Sequence, residues 1–187
     1  MNIYTENKMA KKERSVMLLA NSTEGSTVAE MIAAKLEPKK IRCTLDARPE
    51  GGIPWENVDQ SRAQYPDFAR IAKANPEYIL MLELKKGLDA RCTVMPYHVE
   101  YCTGAPGRDT EESQKARDHL YRALKGIGCI QGPTNGSQRI PYKDVEDFPE
   151  LREGEQPFLS VRMDSPSGYE AVVAQAIAAG VAAYFGR

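Results

Sequence analysis

The stretch that most constrains the fold of this chain is residues 15–36, SVMLLANSTEGSTVAEMIAAKL. Residues 16–20 are apolar, as in a buried strand, and residues 21–26 form a polar turn. An amphipathic helix follows, whose apolar side chains have the spacing of one buried face: Val28, Met31, Ile32 and Leu36. Thr27 and Glu30 have the spacing of a capping box, which predicts the start of this helix. Such a strand–turn–helix unit places backbone N–H groups at the carboxyl edge of a sheet, where ligands of α/β proteins usually bind.

The rest of the chain continues this alternation of strands and helices. A short strand is predicted within residues 127–130, and longer strand patterns occur at residues 41–45, 78–82, 97–102 and 158–163. Helices are predicted to begin near Pro66, after Asp109 with Glu112 as its capping partner, and after Ser167 with Glu170 as its capping partner.

Two further segments lack a periodic pattern. Residues 85–96 are predicted to be irregular, and residues 132–156 are predicted to be a long loop that covers or forms a site. Strands that alternate with helices indicate an α/β fold. We therefore predict a three-layer α/β/α sandwich with a mostly parallel sheet of about five to six strands. The expected organisation is a flexible tail over residues 1–14 and a single domain over residues 15–187.

The composition argues against several classes of partner. The net charge of −1 argues against a nucleic-acid-binding protein that relies on bulk positive charge, and it leaves a local basic patch as the alternative. No apolar run approaches the roughly 18 residues that a membrane span needs, so we expect no membrane partner. Residues 1–15 lack the apolar core of a secretory signal, which predicts that the chain is cytoplasmic as synthesised.

The four cysteines, Cys43, Cys92, Cys102 and Cys129, contain no C-x-x-C pair. Neither a zinc knuckle nor a redox dithiol is therefore indicated. We expect reduced thiols that are mostly buried. The alternative is a metal site that combines two cysteines with His98.

The candidates for chemistry lie at or just past the strand ends: Asn21, Glu24, Glu83, Arg162 and Asp164. Because the carboxyl ends of parallel strands meet at one edge of a sheet, we expect these residues to converge. Glu24 and Glu83 could there bind a hard cation, or one of them could act as a general base. The alternative is that Glu24 stabilises the helix dipole while Glu83 and Arg162 pair with each other or with solvent.

The pattern resembles a known family, the zinc-dependent N-acetylmuramoyl-L-alanine amidases that cleave peptidoglycan. The closing segment, QPFLSVRMDSPSGYEAVVAQAIAAGVAAYFG, is similar to the strand, polar loop and Ala/Ile-rich helix with which that family ends. SRAQYPDFARIAKANPEYILMLELKKG resembles the helix and strand that lead to the family's second zinc histidine, and VEYCTG resembles its next strand. The resemblance covers most of residues 15–186.

This resemblance implies an active site that the chain has largely lost. The family's first zinc histidine ends strand one, where this chain has the turn at residues 20–22. Its glutamate ligand matches Glu24, and its second zinc histidine corresponds to Glu83. Its catalytic glutamate corresponds to Arg162, and Asp164 is a further positional equivalent. Since an arginine does not accept a proton from metal-bound water near neutral pH, ordinary zinc chemistry should be lost. The guanidinium of Arg162 should then lie near Glu83 and Glu24.

A second resemblance concerns the opening turn alone. Residues 22–27, STEGST, are similar to the phosphate loop of flavodoxins, a hydroxyl-rich turn that holds the phosphate of FMN at a helix N-terminus. The residues that would bind a ligand there are Asn21, Ser22, Thr23, Gly25, Ser26 and Thr27.

The leading hypothesis is an amidase-like domain with the peptidoglycan hydrolase fold and an altered or inactive metal site. It leaves open whether the chain is an enzyme. Zinc is the cofactor that this family implies, and the expected partner is a peptidoglycan fragment or another small ligand. The alternatives are a flavodoxin-like module that binds FMN or a phosphate, and a non-catalytic structural or assembly protein.

Overall fold

The fold is organised around a sheet with five long strands and two short ones among the described residues. The computed structural model describes residues 13–20, 22–47, 68–87, 91–100, 110–131, 138–141, 147, 149–152, 154–165 and 167–187. In chain order the strands are β1 (Arg14–Ala20), β2 (Ile41–Ala47), β3 (Tyr78–Lys86), β4 (Arg91–Glu100), β5 (Ile130–Gln131), β6 (Gln138–Pro141) and β7 (Phe158–Ser165).

The strand order in the sheet is β2-β1-β3-β7-β4-β5, and β6 pairs with β4. β1 is parallel to both β2 and β3, and β3 is parallel to β7. β4 runs antiparallel to β7, while its own pairings with β5 and β6 are parallel. The prediction of a mostly parallel sheet is confirmed.

Helices cover both faces of this sheet. In chain order they are α1 (Thr23–Leu36), α2 (Phe68–Ala74), α3 (Glu111–Gly126), α4 (Pro149–Arg152) and α5 (Glu170–Tyr184). The first, third and fifth pack on one face and share its apolar core. α2 lies on the other face, and the short α4 contacts it. The predicted three-layer α/β arrangement is confirmed. Within the described residues, no helix has the length and apolar character that crossing a membrane requires.

Alternation along the strands decides which side chains enter the larger core. On β3, the even-numbered residues from Tyr78 to Leu84 belong to the core that α1, α3 and α5 cover. The odd-numbered residues Ile79, Met81 and Glu83 therefore point to the opposite face. Ile79 and Met81 are buried there as well. Burial on both faces explains why this strand is a nearly continuous apolar run.

α1 begins earlier than the capping box predicts. Ser22 is the N-cap, and its hydroxyl accepts a hydrogen bond from the N–H of Gly25 at 3.0 Å. The same hydroxyl donates to the carbonyl of Leu84 on β3 at 2.6 Å. Thr27 lies inside the helix, where its hydroxyl donates to the carbonyl of Thr23. The tertiary contact with β3 thus favours Ser22 over Thr27 as the cap, which explains why the local pattern was wrong.

The starts of α3 and α5 also differ from the prediction. The N-cap of α3 is Thr110, whose hydroxyl accepts a backbone hydrogen bond from the first turn. The predicted cap, Asp109, lies outside the described residues. α5 begins at Glu170, and no side chain caps it. The predicted capping box of Ser167 with Glu170 is therefore wrong.

The strands extend into segments where the sequence pattern was irregular. β3 continues to Lys86 and β4 begins at Arg91, so the prediction for residues 85–96 is wrong. The charged end of β3 stays in the sheet because it pairs with β7, with Lys85 opposite Asp164. Backbone pairing does not require apolar side chains. The long polar segment before the last strand likewise contains β6 and α4.

The predicted N-terminal tail lies mostly outside the described residues. β1 begins at Arg14, whose N–H donates to the carbonyl of Lys40 at 3.0 Å. This bond joins the start of β1 to the turn before β2. Arg14 therefore belongs to the sheet.

A glycine lets α3 and α5 approach closely. A Cβ added at Gly180 would lie 3.0 Å from the Cα of Leu120 and 3.2 Å from the carbonyl oxygen of His119. Both of these atoms belong to the backbone of α3. The missing side chain at position 180 thus sets the separation of the two helices.

Replacing Gly180 with alanine is expected to destabilise the protein by about 1–3 kcal/mol, because the new Cβ must displace the backbone of α3. This value is the net change in the free energy of unfolding, after the roughly 1 kcal/mol by which alanine favours a helix over glycine. Gly126→Ala is the matched control, since nothing lies within 4 Å of a Cβ at that position. Urea unfolding followed by circular dichroism measures both variants. A Gly180→Ala protein as stable as the control would contradict the close contact.

Candidate functional site

A charged cluster lies near the carboxyl ends of β3 and β7. The carboxylate of Glu83 accepts a hydrogen bond from Nε of Arg162 at 2.6 Å through Oε2. Its other oxygen, Oε1, accepts a hydrogen bond from the hydroxyl of Ser160, also at 2.6 Å. We call these three residues the Glu83 cluster. Both oxygens of its carboxylate are engaged by donors.

The strand register brings the three residues together. In the parallel pairing of β3 with β7, Glu83 lies opposite Arg162 and Met81 lies opposite Ser160. Because side chains alternate along a strand, all three point to the same face. That face is opposite to the core of α1, α3 and α5. The sequence predicted that Glu83 and Arg162 share an edge, and it offered their pairing as an alternative to metal binding.

Burial within the cluster is uneven. The side chain of Glu83 is 15% exposed and that of Arg162 is 45% exposed, while Ser160 is fully buried. A largely buried carboxylate needs its hydrogen-bond partners, because an uncompensated buried charge is strongly destabilising. The side chain of Arg162, in contrast, is partly exposed to solvent. Nearly half of its side chain remains accessible to a ligand.

Asp164 follows Arg162 on the same face of β7. A Cβ added at Gly87 would lie 2.6 Å from both Cβ and Oδ2 of Asp164. The side chain of Asp164 therefore rests directly on the backbone just after β3. The structure brings Asp164 to the same edge as the Glu83 cluster.

Glu24 lies at the carboxyl edge but belongs to the opposite layer. It is in the first turn of α1, next to Gly25, where an added Cβ would lie 3.0 Å from the carbonyl oxygen of Leu82. α1 covers one face of the sheet, and the side chain of Glu83 points to the opposite face. The structure thus joins Arg162 to Glu83, and Glu24 lies at the same carboxyl edge in the first turn of α1.

The predicted ligand-binding turn is mostly helix. Asn21 lies outside the described residues, Ser22 is the N-cap, and residues 23–27 form the first turns of α1. The hydroxyl of Ser26 donates to the carbonyl of Ser22 at 2.8 Å, and that of Thr27 also donates to the helix backbone. These hydroxyls therefore stabilise the helix start. A role for this segment in binding FMN or a phosphate stays a prediction.

Two features of this face were missed at the level of sequence. Arg70 of α2 binds Asp46 near the end of β2, with Nη1 2.6 Å from Oδ1. Ser160 supports Glu83 as described above. Asp46 carried a detectable signal, because it is a carboxylate near the carboxyl end of a half-buried strand. Ser160 could also have been found from the sequence, since it lies two positions before Arg162 on one strand and so shares its face.

The described cysteines are free thiols that are buried or half-buried: Cys43, Cys92 and Cys129. Burial raises the pKa of the Cys43 thiol and of the Cys92 thiol to about 12. Cys102 and the side chain of His98 lie outside the described part. Among the residues that the structure describes, no group of three or more His, Cys, Asp or Glu side chains could hold a metal ion.

We expect Cys43 and Cys92 to resist alkylation by iodoacetamide at pH 8 in the folded protein, because the thiolate is the nucleophile. Folding raises both pKa values from 9.0 to about 12, so the unfolded chain loses these protons first. The two thiols therefore contribute stability below pH 9 that is lost as the pH rises toward 12. Peptide mapping by mass spectrometry measures the labelling. Equal labelling rates with and without guanidinium chloride would contradict their burial.

Ser160→Ala is expected to destabilise the protein by about 1–2 kcal/mol, because Oε1 of Glu83 loses its donor in a largely buried setting. Ser167→Ala is the control, since that serine is exposed. Both variants are compared with the unmodified protein by urea unfolding. A Ser160→Ala protein as stable as the Ser167→Ala protein would show that the hydrogen bond has no role in stability.

Solved structures share the fold of this chain. The N-acetylmuramyl-L-alanine amidase of Mycobacterium abscessus has a TM-score of 0.56 and 13% identity, over 92% of this chain and 98% of that chain. That of Mycobacterium smegmatis has a TM-score of 0.57 and 12% identity, over 92% and 97%. The catalytic domain of an endolysin that targets Clostridia difficile has a TM-score of 0.54 and 10% identity, over 90% and 96%. No protein-family model and no curated protein matches the sequence. The chain therefore has the fold of the N-acetylmuramyl-L-alanine amidases.

Proposed function

We propose that the chain is an amidase-fold domain that binds a muramyl-peptide fragment of peptidoglycan and does not hydrolyse it by the zinc mechanism. The observation that carries this proposal is the contact between Arg162 and Glu83 at 2.6 Å. The shared fold supports the choice of ligand, because the neighbouring proteins are N-acetylmuramyl-L-alanine amidases. The binding surface is the carboxyl edge of the sheet around the Glu83 cluster.

The residues of this cluster do not fit a zinc ion. Zinc sites in proteins combine three or four Cys, His or carboxylate ligands, and within the described residues no group of three or more such side chains could hold a metal ion. The guanidinium of Arg162 would also repel a dication at that position. An altered metal site is therefore part of the proposal.

Arg162 also occupies the place where the family resemblance implies a catalytic glutamate. A guanidinium stays protonated throughout the pH range in which proteins fold. It therefore cannot take a proton from an attacking water molecule. This substitution favours ligand binding over hydrolysis.

Arg162 is well suited to hold a carboxylate instead. Glu83 orients the guanidinium through Nε, and 45% of the arginine side chain is exposed. Arginine binds carboxylates through two parallel N–H···O bonds, which makes it selective for planar anions. The peptide of a muramyl-peptide ends in carboxylates. We therefore assign Arg162 as the anchor for that end of the ligand.

The protein is expected to bind muramyl dipeptide, N-acetylmuramyl-L-alanyl-D-isoglutamine, in isothermal titration calorimetry. Arg162→Gln should weaken this binding about tenfold, because one charge-assisted contact is lost. A fluorescent assay for free amino groups should detect no release of the dipeptide, with or without added zinc.

Arg122→Gln is the matched control, because Arg122 is exposed on α3 at the other face of the sheet. Its affinity for muramyl dipeptide should equal that of the unmodified protein. Zinc-stimulated release of the dipeptide would refute the loss of hydrolysis. Absence of binding by the unmodified protein, or equal weakening in both variants, would refute the role of Arg162.

A further inference from the structure

Two cysteines that are distant along the chain meet within the apolar core. Cys92 lies on β4 and is 1% exposed, whereas Cys129 directly precedes β5 and is half-buried. Both belong to the core that α1, α3 and α5 cover, where Cys92 is a buried member and Cys129 packs against the cluster. Both are free thiols. The Glu83 cluster lies on the other face of the sheet, so the two cysteines are separate from it.

The pairing of β4 with β5 brings the two thiols together. In this parallel pair, Cys92 lies opposite Gln131. Cys129 lies two positions before Gln131, so the alternation of side chains places it on the same face as Cys92. The thiol of Cys92 hydrogen-bonds to the sulfur of Cys129. The two sulfur atoms are therefore neighbours.

The turn at the end of α3 holds Cys129 in this position. The N–H of Cys129 donates to the carbonyl of Leu124 at 3.2 Å, and that of Gly128 donates to the carbonyl of Lys125 at 3.0 Å. Gly128 has a φ of 87°, which glycine adopts without strain. Since β5 has only two residues, few backbone hydrogen bonds resist a small shift of Cys129 toward Cys92.

The two thiols differ in their access to solvent and in their acidity. A small oxidant reaches the half-buried Cys129 first, while Cys92 is enclosed by the core. Burial raises the pKa of Cys129, and the hydrogen bond from Cys92 opposes this rise. Burial, the charge on Cys129 and the same hydrogen bond raise the pKa of Cys92 to about 12. Cys129 therefore loses its proton first and is the nucleophile of the pair.

We propose that Cys92 and Cys129 form a modification site, at which a peroxide converts the two thiols to a disulfide that links β4 to the turn after α3. Cys129 reacts with the peroxide, and Cys92 then displaces the oxygen from it. The hydrogen bond between the thiols and their shared face of the sheet carry this proposal. It does not depend on ligand binding at the carboxyl edge.

The reaction has two steps, in which atoms and electrons balance. The thiolate of Cys129 attacks one oxygen of hydrogen peroxide, so that an S–O bond forms and the O–O bond breaks. The departing hydroxide takes up the proton that Cys129 released. The sulfur of Cys92 then attacks that of Cys129, so that the S–S bond forms and the S–O bond breaks. The second hydroxide leaves with the proton of Cys92. Two thiols are thus oxidised by two electrons in total, and the peroxide is reduced to two water molecules.

The test treats the folded full chain with hydrogen peroxide, blocks the remaining thiols in guanidinium chloride, and maps tryptic peptides without reduction. A cross-linked pair of peptides should carry Cys92 and Cys129. Trypsin leaves Cys92 and Cys102 on one peptide, so fragmentation in the mass spectrometer locates the bond. Oxidation should be faster at pH 9 than at pH 7, because the thiolate is the reactive form.

The disulfide should raise the Tm by about 5–10 °C, because the cross-link restricts the unfolded chain. Dithiothreitol should reverse this shift. Cys129→Ser and Cys92→Ala should each abolish both the cross-link and the shift, so the test does not depend on one variant folding. Cys43→Ser is the matched control and should retain both, since the Cys43 thiol faces the carbonyl of Ile41 at 4.0 Å.

Three outcomes would overturn the proposal. One is stable oxidation of Cys129 to a sulfinic acid with no cross-link, because Cys92 would then be out of reach. Another is a cross-link that joins Cys43 or Cys102 in place of this pair. The third is a Tm shift that persists in both Cys129→Ser and Cys92→Ala. Because none of these outcomes involves muramyl dipeptide, a failure at this site is distinguishable from a failure at Arg162.

Discussion

The parallel pairing of β3 with β7 is the contact on which the rest of the structure depends. It aligns residues 79–86 with residues 158–165 and joins the amino-terminal strands to the last strand of the chain. A slip of one residue would turn every side chain of one strand to the other face. Glu83 would then enter the apolar core, and Leu82 would face Arg162. The register therefore sets the core and the Glu83 cluster together, and a change that disturbs one must disturb the other.

The sequence predicted the structure best where the burial of one face of a helix or strand imposes a regular spacing of apolar residues. The apolar run that ends at Leu82 predicted β3, and the spacing of apolar residues up to Leu36 predicted α1. Each pattern reflects side chains that are buried on one or both faces of the element. The alternation along β7 could also have placed Ser160 beside Arg162. Sequence reasoning failed where a partner distant along the chain decides the outcome. Ser22 caps α1 because its hydroxyl reaches Leu84, which lies 62 positions further on.

The proposed loss of zinc chemistry within a shared fold has a physical explanation. The fold depends on buried apolar positions, many of which accept other apolar side chains of similar size. This tolerance is consistent with a shared fold at 10–13% identity. Metal chemistry depends instead on a few polar residues at strand ends, which the core does not constrain. Glu83 and Arg162 satisfy each other at such positions. In the proposed function, this ion pair replaces the metal ion at the edge, and the exposed part of Arg162 binds the ligand.

Among the long strands that the structure describes, only β4 is antiparallel to its neighbour β7, and this explains why the two edges of the sheet differ. α1 and α5 each follow a strand of the parallel set and run back toward its amino-terminal edge. β4 runs in the opposite direction, so α3, which follows it, begins at that edge. The end of α5 and the start of α3 thus meet beside one cleft. Glu112 offsets the positive end of α3 and accepts a hydrogen bond from Tyr184 at the end of α5, and the guanidinium carbon of Arg14 lies 5.5 Å from the ring centroid of Phe185, the C-cap of α5. The contacts between the end of α5 and the start of α3 are therefore a consequence of strand direction, in the same way that strand register produces the cluster at the other edge.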